Sequence, residues 1–311
     1  MYFPYLYGKQ SERFALIDVV GHLGAPQKVV PILEPYSPAR DLTKVLDAFA
    51  AASAQLHLVV NPTRGGLQTP DDQAAWAAAM ATPLAQSSVI IPTLHVFAAT
   101  TAAEITSFFT IYAGRQVGLV ILAEGVAPTA LAPLLHGAQV RVFIGPRVAP
   151  TDYQAALTGV PVIPLAPRFT VLRNADYPAV SPFSLDPASY RPDGFGDFMI
   201  LDPKPPRVGP GGGNGAGAVA VHMTYQDTTT SELRVQHFLS DDRTAGAPPI
   251  GVKLLQAIAH LDAEQAASGR FLPSPGFAAL HQLRVDGHET NLAKSKRQQL
   301  SHHLFTVAAA L

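Results

Sequence analysis

The sequence has no cysteine. Disulfides, thiolate nucleophiles and cysteine-ligated metals are thereby excluded, and a cytoplasmic location is the expectation that fits. Charge is scarce as well: only 14% of the residues are Asp, Glu, Lys or Arg, and the net charge is -1 at pH 7. Without a basic excess the chain lacks the overall field that nucleic-acid binding needs, so nucleic acid is not an expected partner. No segment approaches the ~20 consecutive apolar residues of a membrane helix, so no membrane association is expected. Met1 to Gln10 is aromatic, carries Lys9 and has no uninterrupted apolar run, which does not read as a signal peptide. Catalytic signatures are missing too. There is no Gly-x-Ser-x-Gly elbow, and no HxH, HExxH or DxDxD spacing that would announce a hydrolase or a metal.

What is present is alternation. Short β-branched runs at 29–33, 56–60, 89–94, 118–122, 140–144 and 160–165 are separated by segments with helical signals. Leu42, Val45, Leu46 and Phe49 follow the i, i+3, i+4, i+7 rule of an amphipathic helix. Thr69-Pro70-Asp71-Asp72 reads as a helix start, and Thr101 with Glu104 as a capping box. Continuous apolar strands alternating with helices predict a parallel sheet covered by helices.

Residues 172–195 lack periodicity and read as a long loop; 198–201 and 218–225 then supply a seventh and an eighth strand. Eight strands is the number that closes, so the expected fold is an α/β (β/α)8 barrel of the TIM type. An open doubly wound sheet is the alternative, but Glu34-Pro35-Tyr36-Ser37 has none of the glycines its first turn usually carries. Residues 233–238 read as a hairpin return from strand eight, and 250–267 as a helix ended by Gly269. The tail is helical, with Lys294, Lys296 and Arg297 expected on a solvated face. The barrel is accordingly assigned to 1–245 and a helical addition packed on it to 246–311. Tyr2, Phe3, Tyr5 and Tyr7 are expected to cover its base or side.

In such barrels the active site lies at the C-terminal ends of the strands. There the sequence places Glu34, Asn61, His95, Glu124, Asp202 and His222, the candidate catalytic residues, with Arg168 and Tyr225 nearby. Carboxylates and histidines converging on one mouth suit acid–base chemistry or an oxygen-preferring divalent metal such as Mg²⁺. The bland alternative is that Glu-Pro, Asn-Pro and Asp-Pro pairs merely cap local turns. The glycine-rich stretch with Gly211, Gly212 and Gly213, preceded by Lys204 and Arg207, is a candidate anion site together with Lys9 and Arg168. Against it, polyglycine is most often a surface linker. His57, mid-strand, reads as a satisfied core histidine.

Several segments taken together have a familiar order. They are Tyr2-Phe3-Pro4-Tyr5-Leu6 with Gly8-Lys9-Gln10, Val30-Pro31-Ile32-Leu33-Glu34-Pro35, Val59-Val60-Asn61-Pro62, Phe195-Gly196-Asp197-Phe198, Ala220-Val221-His222-Met223-Thr224-Tyr225, and His237-Phe238-Leu239-Ser240-Asp241. From the N-terminus to about residue 260 the chain resembles the "beta protein" family, named for a phage product and spread through bacterial mobile elements and phage-related loci. The resemblance implies a barrel-like fold and a setting in phage defence or mobile-element biology, without implying a reaction. It gives priority to Lys9, Glu34, Asn61, Gly196, Asp197, His222 and His237. The family usually has a second basic residue where Tyr7 stands here.

Two function classes follow. One is a sensor or assembly subunit that binds a ligand or a protein partner; the other is an enzyme acting on a phosphorylated or nucleotide-like small molecule at the mouth, with metal assistance. The helix around Trp76, with Ala74, Ala75, Ala77, Ala78, Ala79 and Ala81, has little polar covering, which points to a protein partner or a homo-oligomer.

Overall fold

The computed structural model describes residues 1–123, 125–184, 193–204 and 217–311. Glu124, Arg207, Gly211, Gly212 and Gly213, singled out above, lie outside the described residues. The chain divides into two compact units. One comprises Met1–Lys9, Pro26–Pro167 and Tyr190–Phe198; the other Gln10–Ala25, Arg168–Ser189 and Met199–Leu311. This division does not fall at residue 245.

In the first unit eight parallel strands close into a barrel. They are β1 (Tyr2–Gly8), β2 (Ile32–Pro35), β3 (Leu56–Val59), β4 (Ile90–His95), β5 (Gln116–Ile121), β6 (Gln139–Ile144), β7 (Val162–Ala166) and β9 (Phe195–Asp197). Closure runs through β1, which pairs with β2 on one side and with β9 on the other. Helices α2 (Thr43–Ala51), α3 (Pro70–Gln86), α4 (Ala102–Ile111), α5 (Pro128–Leu131) and α6 (Pro150–Ala156) alternate with the strands, which is the (β/α)8 pattern. Thr101 and Glu104 make the reciprocal capping box at α4, and the Thr69 side chain caps α3.

Alternation along each strand sorts its side chains. Phe3, Tyr5 and Tyr7 of β1 join Ile32, Val59, Val120, Phe143 and Ile163 in one buried cluster, the filling of the barrel. Each fully buried aromatic there is worth roughly 1.5–3 kcal/mol of transfer free energy. A second cluster, including Val117, Leu119, Val142 and Ile144 with Phe108 of α4, joins the outward strand faces to the helices. Gly118 is required by the packing: a Cβ there would stand 2.7 Å from His57 Nδ1.

Four expectations are corrected. The aromatic stretch at the N-terminus is not a cover but the first barrel strand: Phe3, Tyr5 and Tyr7 fill the interior, while Tyr2, Pro4 and Leu6 take the alternate face. Residues 198–201 are not a strand: β9 ends at Asp197, and Met199 has φ 57°, which turns the chain. Nor is 218–225 the eighth barrel strand. It forms β10 (Ala220–Gln226), which pairs antiparallel with β11 (Leu233–Leu239). The stretch read as a loop supplies β8 (Val180–Ser184), on the other side of β11.

This three-stranded sheet belongs to the second unit, with helices α1 (Gln10–Val19), α7 (Ile250–Ser268), α8 (Pro275–Val285) and α9 (Leu292–Ala310). One sheet face packs Val221, Met223 and Phe238 against Leu254, Ile258 and Leu261 of α7. The open edge of β10 is closed by α9: Gln299 Oε1 accepts from the His222 backbone N–H, and His302 Nε2 bonds the Thr224 carbonyl. Lys296 and Arg297 are not on a free solvated face. Lys296 pairs with buried Glu12 at 3.0 Å, and Arg297 grips Asp18 with two nitrogens. Among the described residues no helix is long and apolar enough to cross a membrane.

Candidate functional site

One group of polar residues gathers where β1 to β4 end. Glu34, the third residue of β2, is wholly buried. Its Oε2 accepts a 2.6 Å hydrogen bond from the Tyr5 hydroxyl, and its Oε1 accepts one of 3.0 Å from Arg64 Nε. His95, the last residue of β4, stands with Nδ1 3.6 Å from the same Oε1, an ion-pair distance rather than a hydrogen bond. Burial alone raises the pKa of Glu34. The His95 ring, the Arg64 guanidinium and the Tyr5 hydroxyl together outweigh burial and hold the carboxyl below its ordinary value. The same carboxylate, after burial itself, keeps the Tyr5 hydroxyl protonated far up the scale.

Each partner is fixed in turn. Asn61 does not face the mouth as a reagent. Its amide accepts from the His95 N–H and donates to the His95 carbonyl, both at 2.8 Å, and so locks the end of β4 to the end of β3. The His95 ring stacks on Phe97 with centroids 4.0 Å apart. Arg64 lies over the Tyr7 ring at 6.0 Å, and its two Nη groups have no hydrogen-bond partner among the described residues. Gly65 makes this loop possible. Its φ is +62°, and a Cβ there would run into the Tyr36 carbonyl at 2.1 Å. Lys9, just beyond β1, sets its ammonium over the Tyr36 ring at 5.4 Å.

Of the residues expected at the mouth, Glu34, Asn61, His95 and Lys9 therefore come together. Asp202, His222, Arg168 and Lys204 do not sit on barrel strands; they belong to the second unit. His222 is on β10, and Asp202 caps the backbone N–H of Lys204 at 2.8 Å. Asp197 and Gly196 lie on β9, where Asp197 accepts from the Tyr2 hydroxyl at 2.5 Å. His57 is buried with Nδ1 on Thr93 at 2.9 Å, but Nε2 has no partner among the described residues, so it is only half satisfied. Burial, then Arg141, holds its pKa well below the ordinary imidazole value.

Arg64 and Tyr5 carry the site; Arg64 is not singled out by the sequence, which places Tyr5 only in an aromatic cover. Arg64 follows Asn61-Pro62 in a turn, and only its place after a barrel strand gave a signal. Among the described residues no group of three or more His, Asp or Glu side chains is placed to hold a metal ion. Compared with protein families, curated proteins and solved structures, the chain matches none of them.

Proposed function

We propose that the mouth of the barrel binds a small anionic molecule, a phosphate ester or carboxylate, and that the protein serves as a ligand-binding sensor or assembly subunit. The phage-defence or mobile-element setting implied by the family resemblance is part of this reading. One observation carries it. Arg64 is anchored through Nε to a buried carboxylate, which leaves its two Nη groups unengaged and aligned by the Tyr7 ring. A guanidinium fixed in this way presents two parallel donors to a phosphate or carboxylate without first losing side-chain entropy. The Lys9 ammonium, held on the neighbouring strand end over Tyr36, adds positive potential.

Calorimetric titration of the intact protein with a nucleoside monophosphate and with inorganic phosphate tests this. Saturable binding that weakens with salt and drops by roughly tenfold or more in Arg64→Lys, which keeps the charge but loses the fork, is the expected result. Equal affinity in the variant, or no binding of either probe, rejects the reading.

A second reading, an enzyme acting on the bound phosphorylated or nucleotide-like molecule, has one observation in its favour. His95 presents Nδ1 to an ionised Glu34, and its Nε2 has no hydrogen-bond partner among the described residues. That is the arrangement of an oriented general acid–base. Turnover that His95→Asn abolishes while probe binding persists would establish it.

A further inference from the structure

The second unit contains a cleft of about 300 Å³ that the barrel mouth does not explain. Its lining combines Phe169 and Tyr177 with His222, Asn174, Asp202 and Lys296. His222 is not isolated there. It stands directly across the ladder from His237, and the two Nδ1 atoms are 2.7 Å apart. His237 Nε2 lies 2.8 Å from the Ser181 hydroxyl on β8, so the hydrogen bonds cross all three strands. Tyr177 stacks on His237 with centroids 4.7 Å apart and leans on His222 at 4.6 Å, while Phe169 meets the His222 ring edge-on at 5.2 Å.

Two nitrogens at that separation share one proton, so the rings must adopt complementary tautomers. In one arrangement Ser181 donates to His237 Nε2, His237 Nδ1 donates to His222 Nδ1, and His222 Nε2 carries a proton. In the other, His222 donates through Nδ1, His237 donates to Ser181 Oγ, and His222 Nε2 presents a lone pair. Both hold the same number of protons and no net charge. Burial, with His237 as a second cause for His222, lowers the pKa values to about 3 for His222 and about 4 for His237, so the pair is neutral at pH 7. His222 Nε2 has no hydrogen-bond partner among the described residues, and His222 is only partly buried at the cleft.

From this geometry we propose that the cleft is a second binding site, for an uncharged planar N-heterocycle of the nucleobase class. Phe169 and Tyr177 give the cleft an apolar lining, against which a ring gains contact. His222 Nε2 matches either a donor or an acceptor on the edge of the ring, because the relay to Ser181 adjusts. Asp202 offers an acceptor, and the Asn174 amide, whose nitrogen already donates to the Ala218 carbonyl, turns its oxygen to the same task. An anion is disfavoured: Lys296 is neutralised by Glu12, and Asp202 remains. A Ser181 nucleophile is disfavoured as well. Residue 182 is proline, so the N–H that usually follows the nucleophile in an oxyanion hole does not exist.

The test is a titration of intact protein, with ¹⁵N-labelled histidine, using adenine and uracil as probes. The His222 Nε2 resonance is expected to shift saturably at millimolar probe, with the two rings changing tautomer in opposite senses. Leu292→Trp, at the rim of the cleft and away from the histidine pair, is expected to weaken the effect by roughly tenfold. Ser181→Ala removes the far end of the relay and should bias His222 to one tautomer, so that adenine and uracil are no longer bound alike. No saturable shift with either probe overturns the proposal. So does a shift that Leu292→Trp leaves unchanged, provided the variant's histidine spectrum shows the fold intact.

Discussion

The barrel unit and the sheet–helix unit bury polar side chains in different ways. At the barrel mouth the buried group is an ion: Glu34 keeps its charge because Arg64 Nε, the Tyr5 hydroxyl and the His95 ring surround it. The sheet–helix unit also buries charged side chains, among them Glu12 beside Lys296, but what sets it apart is a group of buried neutral imidazoles. His302 Nδ1 bonds Ser274 at 2.7 Å, His303 Nδ1 bonds Thr224 at 2.7 Å, and His222 and His237 bond each other. In the first case the guanidinium that pairs through Nε keeps its two Nη groups for a ligand, which suits an anion site. A neutral imidazole presents a hydrogen bond without a field, which suits an uncharged one. The difference also determines how each unit responds to acid.

That response is the largest effect expected. Burial lowers the pKa of His302 to about 4 and, with His302 as a further cause, that of His303 to about 3, beside the values of about 3 and about 4 for His222 and His237. In the unfolded chain each of the four titrates near 6.5. Below that pH the unfolded state takes up protons that the folded state refuses, so stability is complete above 6.5 and is lost as pH falls toward 4. Each refused proton costs ~1.4 kcal/mol per pH unit, so four give a slope of roughly 5 kcal/mol per pH unit. The barrel unit has one such histidine, His57, and a slope of ~1.4. Hydrogen exchange followed between neutral pH and pH 4.5 should show the sheet–helix unit opening first. Equal slopes in the two units would remove the contrast.

Next in size is the ion itself. Arg64→Ala leaves a wholly buried carboxylate with only Tyr5 and His95 facing it. Breaking a buried pair from one side costs about 3–5 kcal/mol, and Arg64 is partly exposed, so the lower end is expected by urea denaturation. The sign of its pH dependence is the same as that of the histidines, but the cause differs: partners stabilise the charged carboxylate, whereas burial disfavours the charged imidazoles. Glu34 titrates below its unfolded value, so it stabilises above the usual carboxylate range and ceases to as pH falls through its folded pKa. Without Arg64 that folded pKa rises, and the loss should begin at higher pH.

Why these two chemistries were unequally legible follows from local pattern. Strands β2 to β7 are β-branched apolar runs flanked by helix caps, and such runs identify themselves. β1 does not, because its inward residues are aromatic and its outward ones include Pro4, which looks like surface covering. β9 is three residues long with Gly196 at its centre, too short for any period. The alternating burial of β10 is the mark of a half-buried antiparallel strand, and a count toward eight obscured it. Glu34, Asn61 and His95 were found because they close strands. Arg64 was missed because it sits in a turn with Pro62 and Gly65, where an arginine normally means solvent. His237, near the hairpin end, takes its priority from the family resemblance, since nothing in its own strand says that it faces His222 across the ladder.

The smallest expected effect is the one that calibrates the others. Each unit has an exposed helix N-cap of comparable quality. Thr101 accepts from the Glu104 N–H at 3.2 Å at the start of α4, and Asn291 accepts from the Lys294 N–H at 2.9 Å at the start of α9. Neither side chain belongs to either candidate site, and replacing such a cap with alanine costs ~1 kcal/mol. Thr101→Ala also removes the bond that the Thr101 hydroxyl donates to the Glu104 carboxylate, leaving only the one from the backbone N–H, so it should cost slightly more than Asn291→Ala. Calorimetric melting of the two variants then reads out cooperativity. If the units unfold separately, Thr101→Ala lowers only the transition that histidine protonation leaves in place, and Asn291→Ala only the one that acid removes. If the chain unfolds as a single cooperative unit, both substitutions lower the same transition by similar amounts. The steep acid slope of the sheet–helix unit would then pull the barrel down with it. The contrast between a charged site and an uncharged one would remain but disappear from the melting curve.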